Sequence, residues 1–518
     1  DPNYIHNVEE AAKSYWAVLR PQEYVMCKEA LRGGRTDARR MLTEIDDEMW
    51  VRGERIKYVD VCSMYPWEQA VNMFPVGYPQ VHVVNDLYRP CFKKHRNSIE
   101  FCDCPKSDRY SDSESPKKHG IWITSGPWNL ERFKGIGGFV ACDITAPNMV
   151  HPVLIVYDKV NKKAVAPCGR FTGVFTINAI NVALAHGYVM NEVFRVDIYK
   201  MAPSLWEDLT IDFTIGKMCA SEAEPDEKRR LELVQFFDKH FEAGDRIART
   251  FGCGKWGRNE LRRSVYKILN NCGWGKHCQA AIKDQKILAN YGAKDGEEKV
   301  YAMYANVSTG VSSLKNVTPF TDNVFCYTFT EDSAKPDLTN SYLAAGAHVP
   351  DYGRLTLWKQ MHALGKRVIY NDTDSVVYHY VPGEYEVEQG DMWGQWEEEK
   401  ISKAGIRVFA AFGAKSYAVV AKGMELLKLK GISVNRAHGK MLAVEKLVEA
   451  QKRVLGTGEK EVLLVPQQNF VYRPSLGIKT NRSMKKLTFS LDNYKGAVDV
   501  EGYVYPPGYT GPDFKAFQ

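Results

Sequence analysis

The spacing of apolar and polar positions divides the chain into distinct runs. Residues 1–30 carry Ala12, Tyr15, Trp16 and Leu19 at helical intervals and predict a helix, followed by the turn Leu31-Arg32-Gly33-Gly34-Arg35-Thr36. A β-branched run at 56–61 predicts a strand ending around Asp60, and Ser63, Tyr65 and Pro66 then mark a turn into a helix. Residues 76–129 have no sustained period, and 106–118 reads as a polar loop or insertion tip. Strand patterns follow at 138–143 and 153–157, a helix at 177–186 and a strand at 193–199. Three helical stretches come next, about 204–220, 226–250 and 258–272, the last ended by Gly273-Trp274-Gly275. Residues 281–340 are mixed and short-stranded, and a helix at about 341–363 leads into a strand, turn and strand at 366–378. Strands at 412–420 and 426–432, a helix at 436–455 and a β-rich tail complete the chain. No internal repeat and no nucleotide-binding glycine fingerprint is present.

A chain of 518 residues exceeds what one core usually organises, so two to four domains are expected. A hydrophobic fraction of 44% with 25% charge is that of an ordinary globular protein. There is neither an apolar run long enough for a membrane span nor a signal peptide, which predicts an intracellular protein. The chain starts at Asp1 rather than Met, as a processed or trimmed product or a piece of something longer would. Net charge is only +6, but its distribution is uneven. Eight basic residues fall between Lys255 and Lys286 against Glu260 and Asp284, and Lys479, Arg482, Lys485 and Lys486 form a second basic set. Either set is a phosphate footprint or a solvated face. The twelve cysteines are scattered, as reduced thiols would be. Cys91, His95, Cys102 and Cys104 bring four zinc-type ligands close together, yet Cys-x-Cys is not the usual spacing of a structural site, so zinc and free thiols both stay open.

The 366–378 stretch carries the most specific chemistry. Asp372 and Asp374 are two apart at a hairpin tip, where two carboxylates repel unless a cation lies between them. Such ligands suit Mg²⁺ or Mn²⁺ with room for substrate phosphates; a wet turn is the plain alternative. Asp60, at a strand end, is either a further ligand or a strand-terminal cap. Arg263, Lys267 and Asn271 are spaced to share one helix face, as a triphosphate clamp or simply as a solvated surface. The glycines Gly33 and Gly34, flanked by Arg32 and Arg35, permit a close backbone approach to a ligand or an ordinary turn.

Taken in order, these segments resemble the motifs of family B DNA polymerases. Asp60-x-x-Ser63-Met64-Tyr65-Pro66 resembles motif A, with Met where Leu is usual. Lys267-x-x-x-Asn271-Cys272-x-Trp274-Gly275 resembles motif B, with Cys for Ser and Trp for Tyr. Tyr370-x-Asp372-Thr373-Asp374-Ser375 matches motif C, and Lys415-x-Tyr417 matches the Lys-x-Tyr motif. The protein-primed branch, found in adenoviruses, certain phages, linear plasmids and polinton-type elements, is the closer likeness. Its Tyr-x-Gly-Gly turn corresponds to Leu31–Gly34, with Leu for Tyr, and its inserts fall after motif A and between motifs B and C. The exonuclease of such enzymes lies upstream of motif A, where only about 30 residues stand here, so the chain looks like a polymerase half and no exonuclease activity is expected.

The resemblance implies an α+β right hand. Residues 1–30 would be a remnant of an upstream linker or helix, 31–202 and 341–420 the palm with an insert at about 77–130, 203–290 the fingers, 291–340 a second insert, and 421–518 the thumb. It further implies template-directed DNA synthesis from a primer 3′-hydroxyl, or a protein hydroxyl at initiation, with two Mg²⁺ or Mn²⁺ ions held by Asp60, Asp374 and the Val61 carbonyl. Asp372 ranks below these as a ligand. Tyr65, Lys217, Arg263, Lys267 and Asn271 would meet the incoming dNTP. Gly33, Gly34, Arg35, Tyr370, Thr373, Lys415, Tyr417 and Lys430 would meet primer-template DNA, with Lys479 and Lys485 gripping the duplex. A terminal priming protein is an expected partner, and the polymerase a monomer. Reverse transcriptases also have an acidic hairpin, but usually with adjacent aspartates and without Lys-x-Tyr. The other alternative is a catalytically weak, polymerase-like scaffold that binds DNA or a priming protein.

Overall fold

The computed structural model describes Leu19 and residues 21–516, apart from 84–120, 124–127, 159–161, 205, 279–284, 320–323, 332–341, 435–440, 474–476 and most of 291–311. The Cys91, His95, Cys102 and Cys104 group, the polar 106–118 segment and nearly all of 1–20 lie outside the described residues. None of the described helices is long and apolar enough to cross a membrane, and the nine described cysteines are unpaired.

A nine-stranded sheet carries the motifs that sequence singled out. Its order is Thr36–Ala38, Val368–Asp372, Ser375–Tyr380, Arg55–Val61, Ile406–Gly413, Ser416–Ala421 and Met424–Lys428, with Trp396–Glu398 and Leu42–Glu44 paired alongside. Every pairing in it is antiparallel. The strands are rich in β-branched and aromatic residues, and their two-residue period sends alternate side chains to two cores. Tyr58, Val377 and Phe409 pack with Leu447 and Val454 from the helix Val444–Thr457. Val59, Val61, Val376 and Tyr378 pack with Leu357, Met361 and Leu364 from the helix Leu343–Leu364. Because both faces are covered, the register is strongly specified: a one-residue slip would turn each set toward the wrong core.

Beside this sheet stands a five-stranded one, in the order Ile121–Ile123, Met73–Val83, Val189–Pro203, Gly137–Ala146 and Gly169–Thr176. Its Met73–Val83 strand corrects the expectation that 76 onward is irregular. Pro75, Gly77 and Pro79 disguise the strand, but the register jumps there from Val76↔Lys200 to Gln80↔Ile198, so an irregularity absorbs Gly77 and Pro79. The predicted strand at 153–157 is only Val156–Asp158. Ahead of it the amides of Val153 and Leu154 donate to the Tyr188 hydroxyl at 2.8 and 3.4 Å rather than to a ladder.

The helices Glu207–Ser221 and Glu227–Phe241 share a core of Ile211, Leu233, Phe237, Ile247 and Trp256, and a third helix, Glu260–His277, packs against the first. The second is shorter than the predicted 226–250: Glu242 turns left-handed at φ 51°, and a separate short helix, Gly244–Ala248, follows. The third is longer than predicted and runs straight through Gly273-Trp274-Gly275. Gly273 serves close packing there, since a Cβ on it would stand 3.0 Å from Gln69 Oε1. A three-stranded sheet built from Gln285–Asn290, Ser312–Pro319 and Val324–Glu331 matches the short-stranded reading of that region. The hairpin Glu461–Arg473 with Gly477–Phe489 comes late in the chain, after which Tyr503 bridges to Arg40 at the edge of the nine-stranded sheet.

Candidate active site

The acidic hairpin turns through Thr373 and Asp374, with Thr373 in the left-handed region at φ 61°. A β-branched residue pays for that conformation, and its surroundings hold it there. Thr373 N and Asn371 Nδ2 both donate to the Arg35 carbonyl, at 2.7 and 3.1 Å, and Asp374 N donates to the Asp372 carbonyl at 2.7 Å. Gly34 lies against the Thr373 side chain so closely that a Cβ would come within 2.5 Å of it. The Gly-Gly turn thus braces the acidic turn directly.

Asp60 reaches the same place because its strand pairs with Ser375–Tyr380, setting Asp60 opposite Ser375, while Val61 N donates to the Asp374 carbonyl at 2.8 Å. Both carboxylates line a cleft of about 490 Å³ together with Val61, Tyr65, Lys217, Arg263, Lys267 and Asn271. Burial pushes the Asp60 carboxyl up to about 8, with Asp374 and Glu399 adding to the rise and Lys428 and Lys267 opposing it. Asp374 is raised too, chiefly by burial and then by Asp372. Two half-hidden carboxylates driven toward protonation gain from a divalent cation, which reverses both shifts. Asp60, Asp374 and the Val61 carbonyl offer oxygen donors of the kind that a hard divalent cation such as Mg²⁺ or Mn²⁺ takes, in a cleft that Lys217, Arg263 and Lys267 also line.

The two aspartates of the turn differ. Asp374 lines the cleft. Asp372 accepts from Thr36 Oγ1 at 2.7 Å and from Lys415 Nζ at 2.7 and 3.0 Å, so its carboxylate is engaged outside it.

The cationic wall comes from two helices. Asn259 caps the Glu260–His277 helix by accepting from Arg262 N, and Arg263, Lys267, Asn270 and Asn271 then border the cleft. Lys217, from Glu207–Ser221, donates to Ser63 Oγ at 2.5 Å; burial and the neighbouring Arg263 lower its pKa. Tyr65 enters at the start of the helix Met64–Val71 and lies against Trp274.

Several expected DNA contacts are placed differently from one another. Lys415 and Lys430 are exposed, and Gly33 has open space around its Cα. Arg35 is buried, donating to Asp37 at 2.8 Å and to the Pro152 carbonyl at 2.7 Å. Tyr370 and Tyr417 are buried below the turn, where the Tyr370 hydroxyl accepts from Lys415 N and Tyr417 lies 3.2 Å from the Tyr58 hydroxyl. The side chains of Lys479 and Arg482 lie outside the described ones, and Lys485 is exposed.

Sequence reasoning missed Cys62 and the segment Glu397-Glu398-Glu399-Lys400, all of which border the cleft. The strand Trp396–Glu398 sets Glu397 opposite Asp60, and Cys62 Sγ contacts Glu397 at 3.6 Å. Glu397 and Glu399 are exposed, as an acidic run ordinarily is, and the signal that this strand packs was the buried Trp396 directly before them.

No protein-family profile matches the chain, and no curated protein matches it in sequence. In structure it is similar to phi29 DNA polymerase complexed with primer-template DNA and incoming nucleotide, with a TM-score of 0.53 at 14% identity over 92% of this chain and 64% of that one. The post-translocation binary complex with primer-template DNA gives 0.53 at 13% over 93% and 65%. The complex with single-stranded DNA gives 0.51 at 13% over 92% and 64%. The chain therefore has the fold of a DNA polymerase and spans somewhat under two thirds of the length of the polymerase it matches.

Proposed function

We propose that the chain catalyses template-directed DNA synthesis as a family B polymerase unit of the protein-primed type, with palm, fingers and thumb as the motif order implies. One observation carries the reading. Asp60, Asp374, Lys217, Arg263, Lys267, Asn271 and Tyr65, drawn from four separate segments, border a single cleft. A scaffold has no need to gather two carboxylates, three cations and a ring around one cavity.

In this reading Asp60, Asp374 and the Val61 carbonyl would hold the metal pair. Two Mg²⁺ or Mn²⁺ ions would supply acidification of the primer 3′-hydroxyl and charge for the leaving pyrophosphate. The chain's own residues do the positioning on which phosphoryl transfer depends. Lys217, Arg263 and Lys267 neutralise the triphosphate, with Asn271 adding an amide donor. Tyr65 closes the sugar side of the cleft against a 2′-hydroxyl. Lys415, on the far side of the acidic turn, meets the primer-template backbone.

Primer extension with Mg²⁺ and dNTPs tests the reading, with Asp374→Ala as the control. Extension by wild type and its loss in the variant support it; equally poor extension by both supports a scaffold instead. A protein-primed start has its own test. Labelled dNTP, origin DNA and a candidate terminal protein together should yield a covalent protein–nucleotide adduct, whereas initiation only from a nucleic-acid primer counts against it.

A further inference from the structure

We propose that Thr36 is a positioning residue for the Lys415 ammonium and acts through Asp372. The consequence for DNA binding rests on the polymerase reading; the geometry does not. Thr36 Oγ1 donates to Asp372 Oδ1 at 2.7 Å. Lys415 Nζ donates to the same oxygen at 2.7 Å and to Oδ2 at 3.0 Å, and Thr373 Oγ1 adds a longer bond to Oδ1 at 3.2 Å.

The three donors differ in how firmly they are held. The Lys415 side chain is 56% exposed, and an exposed Lys–Asp pair by itself neither contributes much nor orders two long side chains. Thr36 is only 6% exposed and sits in a strand directly opposite Asp372. That strand is anchored in turn. Its next residue, Asp37, is buried and paired with Arg35 at 2.8 Å, Arg39 at 3.3 Å and Lys495 at 3.6 Å. The buried hydroxyl therefore selects the carboxylate rotamer, and the carboxylate then selects where the ammonium waits. It also keeps Asp372 engaged away from the cleft that Asp60 and Asp374 line. A primer-template phosphate arriving at Lys415 meets a cation already ordered, which lowers the entropy cost of binding.

A double-mutant cycle decides between positioning and mere structure. The variants are Thr36→Val, Thr36→Ser, Lys415→Met and Thr36→Val with Lys415→Met, each followed by primer-template affinity, KM, kcat and thermal unfolding. Thr36→Val is expected to weaken primer-template binding about 3–10-fold, the size of one neutral hydrogen bond, in KM rather than kcat. Thr36→Ser restores it. In the Lys415→Met background Thr36→Val costs less than about 2-fold, because the group it positions is gone. Equal losses in both backgrounds, or failure of Ser to restore, overturn the proposal. Acetylation of the DNA-free chain gives a second readout that needs no activity. Lys415 labelling, read by mass spectrometry against Lys430 as the exposed reference, should quicken at least ~2-fold in Thr36→Val as the ammonium is released. An unchanged rate overturns the positioning role. If wild type binds no primer-template, the polymerase reading falls, and labelling still decides this one.

Discussion

The rings of Tyr65 and Trp274 meet with their centroids 5.1 Å apart, joining the turn after Asp60 to the helix that bears Lys267. Trp274 is itself tied down, its Nε1 donating to the Gly346 carbonyl at 2.9 Å. On the other side Gly353 leaves no slack, since a Cβ there would stand 3.1 Å from Tyr65 Cε1. If Tyr65 excludes a 2′-hydroxyl by bulk, Trp274 is what keeps it from yielding. Trp274→Ala should raise insertion of a ribonucleotide relative to its deoxy partner by roughly 3–10-fold, the worth of one aromatic contact. Tyr65→Ala should raise it further. Single-nucleotide insertion with matched dCTP and CTP measures both, and an unchanged ratio in Trp274→Ala removes it from the gate.

Lys267 and Arg263 border the cleft one helical turn apart, yet their surroundings differ. Arg263 lies 4.0 Å from Glu260, whereas Lys267 is among the charges that act on both Asp60 and Asp374. Lys267→Met should therefore raise KM for dNTP by roughly 10–100-fold, as loss of a charge-assisted bond does, and Arg263→Met by less. Steady-state extension at fixed primer-template gives both values. A reversed ranking places the triphosphate nearer the start of the helix.

Much of the site was legible because local pattern and chemistry agreed. The β-branched flanks of Asp372-Thr373-Asp374 specify a hairpin, and Arg263, Lys267 and Asn271 share a face by spacing alone. The pairing of Asp60 with Ser375 could not be read from periodicity, because register between segments so far apart in the chain is set by tertiary packing. Glu397–Glu399 stayed hidden for a related reason: the pairing of Glu397 with Asp60 brings the run to the cleft, and by exposure alone it reads as a solvated face. The helix through Gly273 and Gly275 misled in the opposite direction. Gly273 answers to a close neighbour, Gln69, which sequence does not display, and Gly275 stands in open space.

Gly34 presents the sharpest steric case. An Ala there puts Cβ 2.5 Å from Thr373 Cγ2 and Oγ1, so the acidic turn has to shift. Gly34→Ala should lower extension about 10-fold or more, as small misplacements at a reacting centre do. Thr373 adopts φ 61°, which glycine accepts freely, so Thr373→Gly added to Gly34→Ala should recover part of the loss. Extension rates of the single and double variants make the comparison. A double variant worse than Gly34→Ala alone locates the damage elsewhere.

His277 closes the Lys267 helix and ties it to the helix that begins at Leu343. Its Nδ1 accepts from Tyr342 N at 3.2 Å, and its ring lies 4.2 Å from that of Trp206. The ring is only 3% exposed, and burial, helped by Lys276, lowers its pKa to about 4. A neutral ring is required, since a protonated Nδ1 cannot accept. The unfolded chain binds this proton near pH 6.5 and the folded chain only near 4. The stability His277 contributes is therefore complete above about pH 6.5 and is lost as pH falls through 4. His277→Gln retains an acceptor and has no proton to bind. Between pH 7 and 4.5 wild type should lose roughly 1–3 kcal/mol more than this variant in denaturant unfolding, on top of the carboxylate titrations common to both. Curves of midpoint against pH that run parallel for the two proteins would mean that His277 is not the group whose protonation loosens this junction.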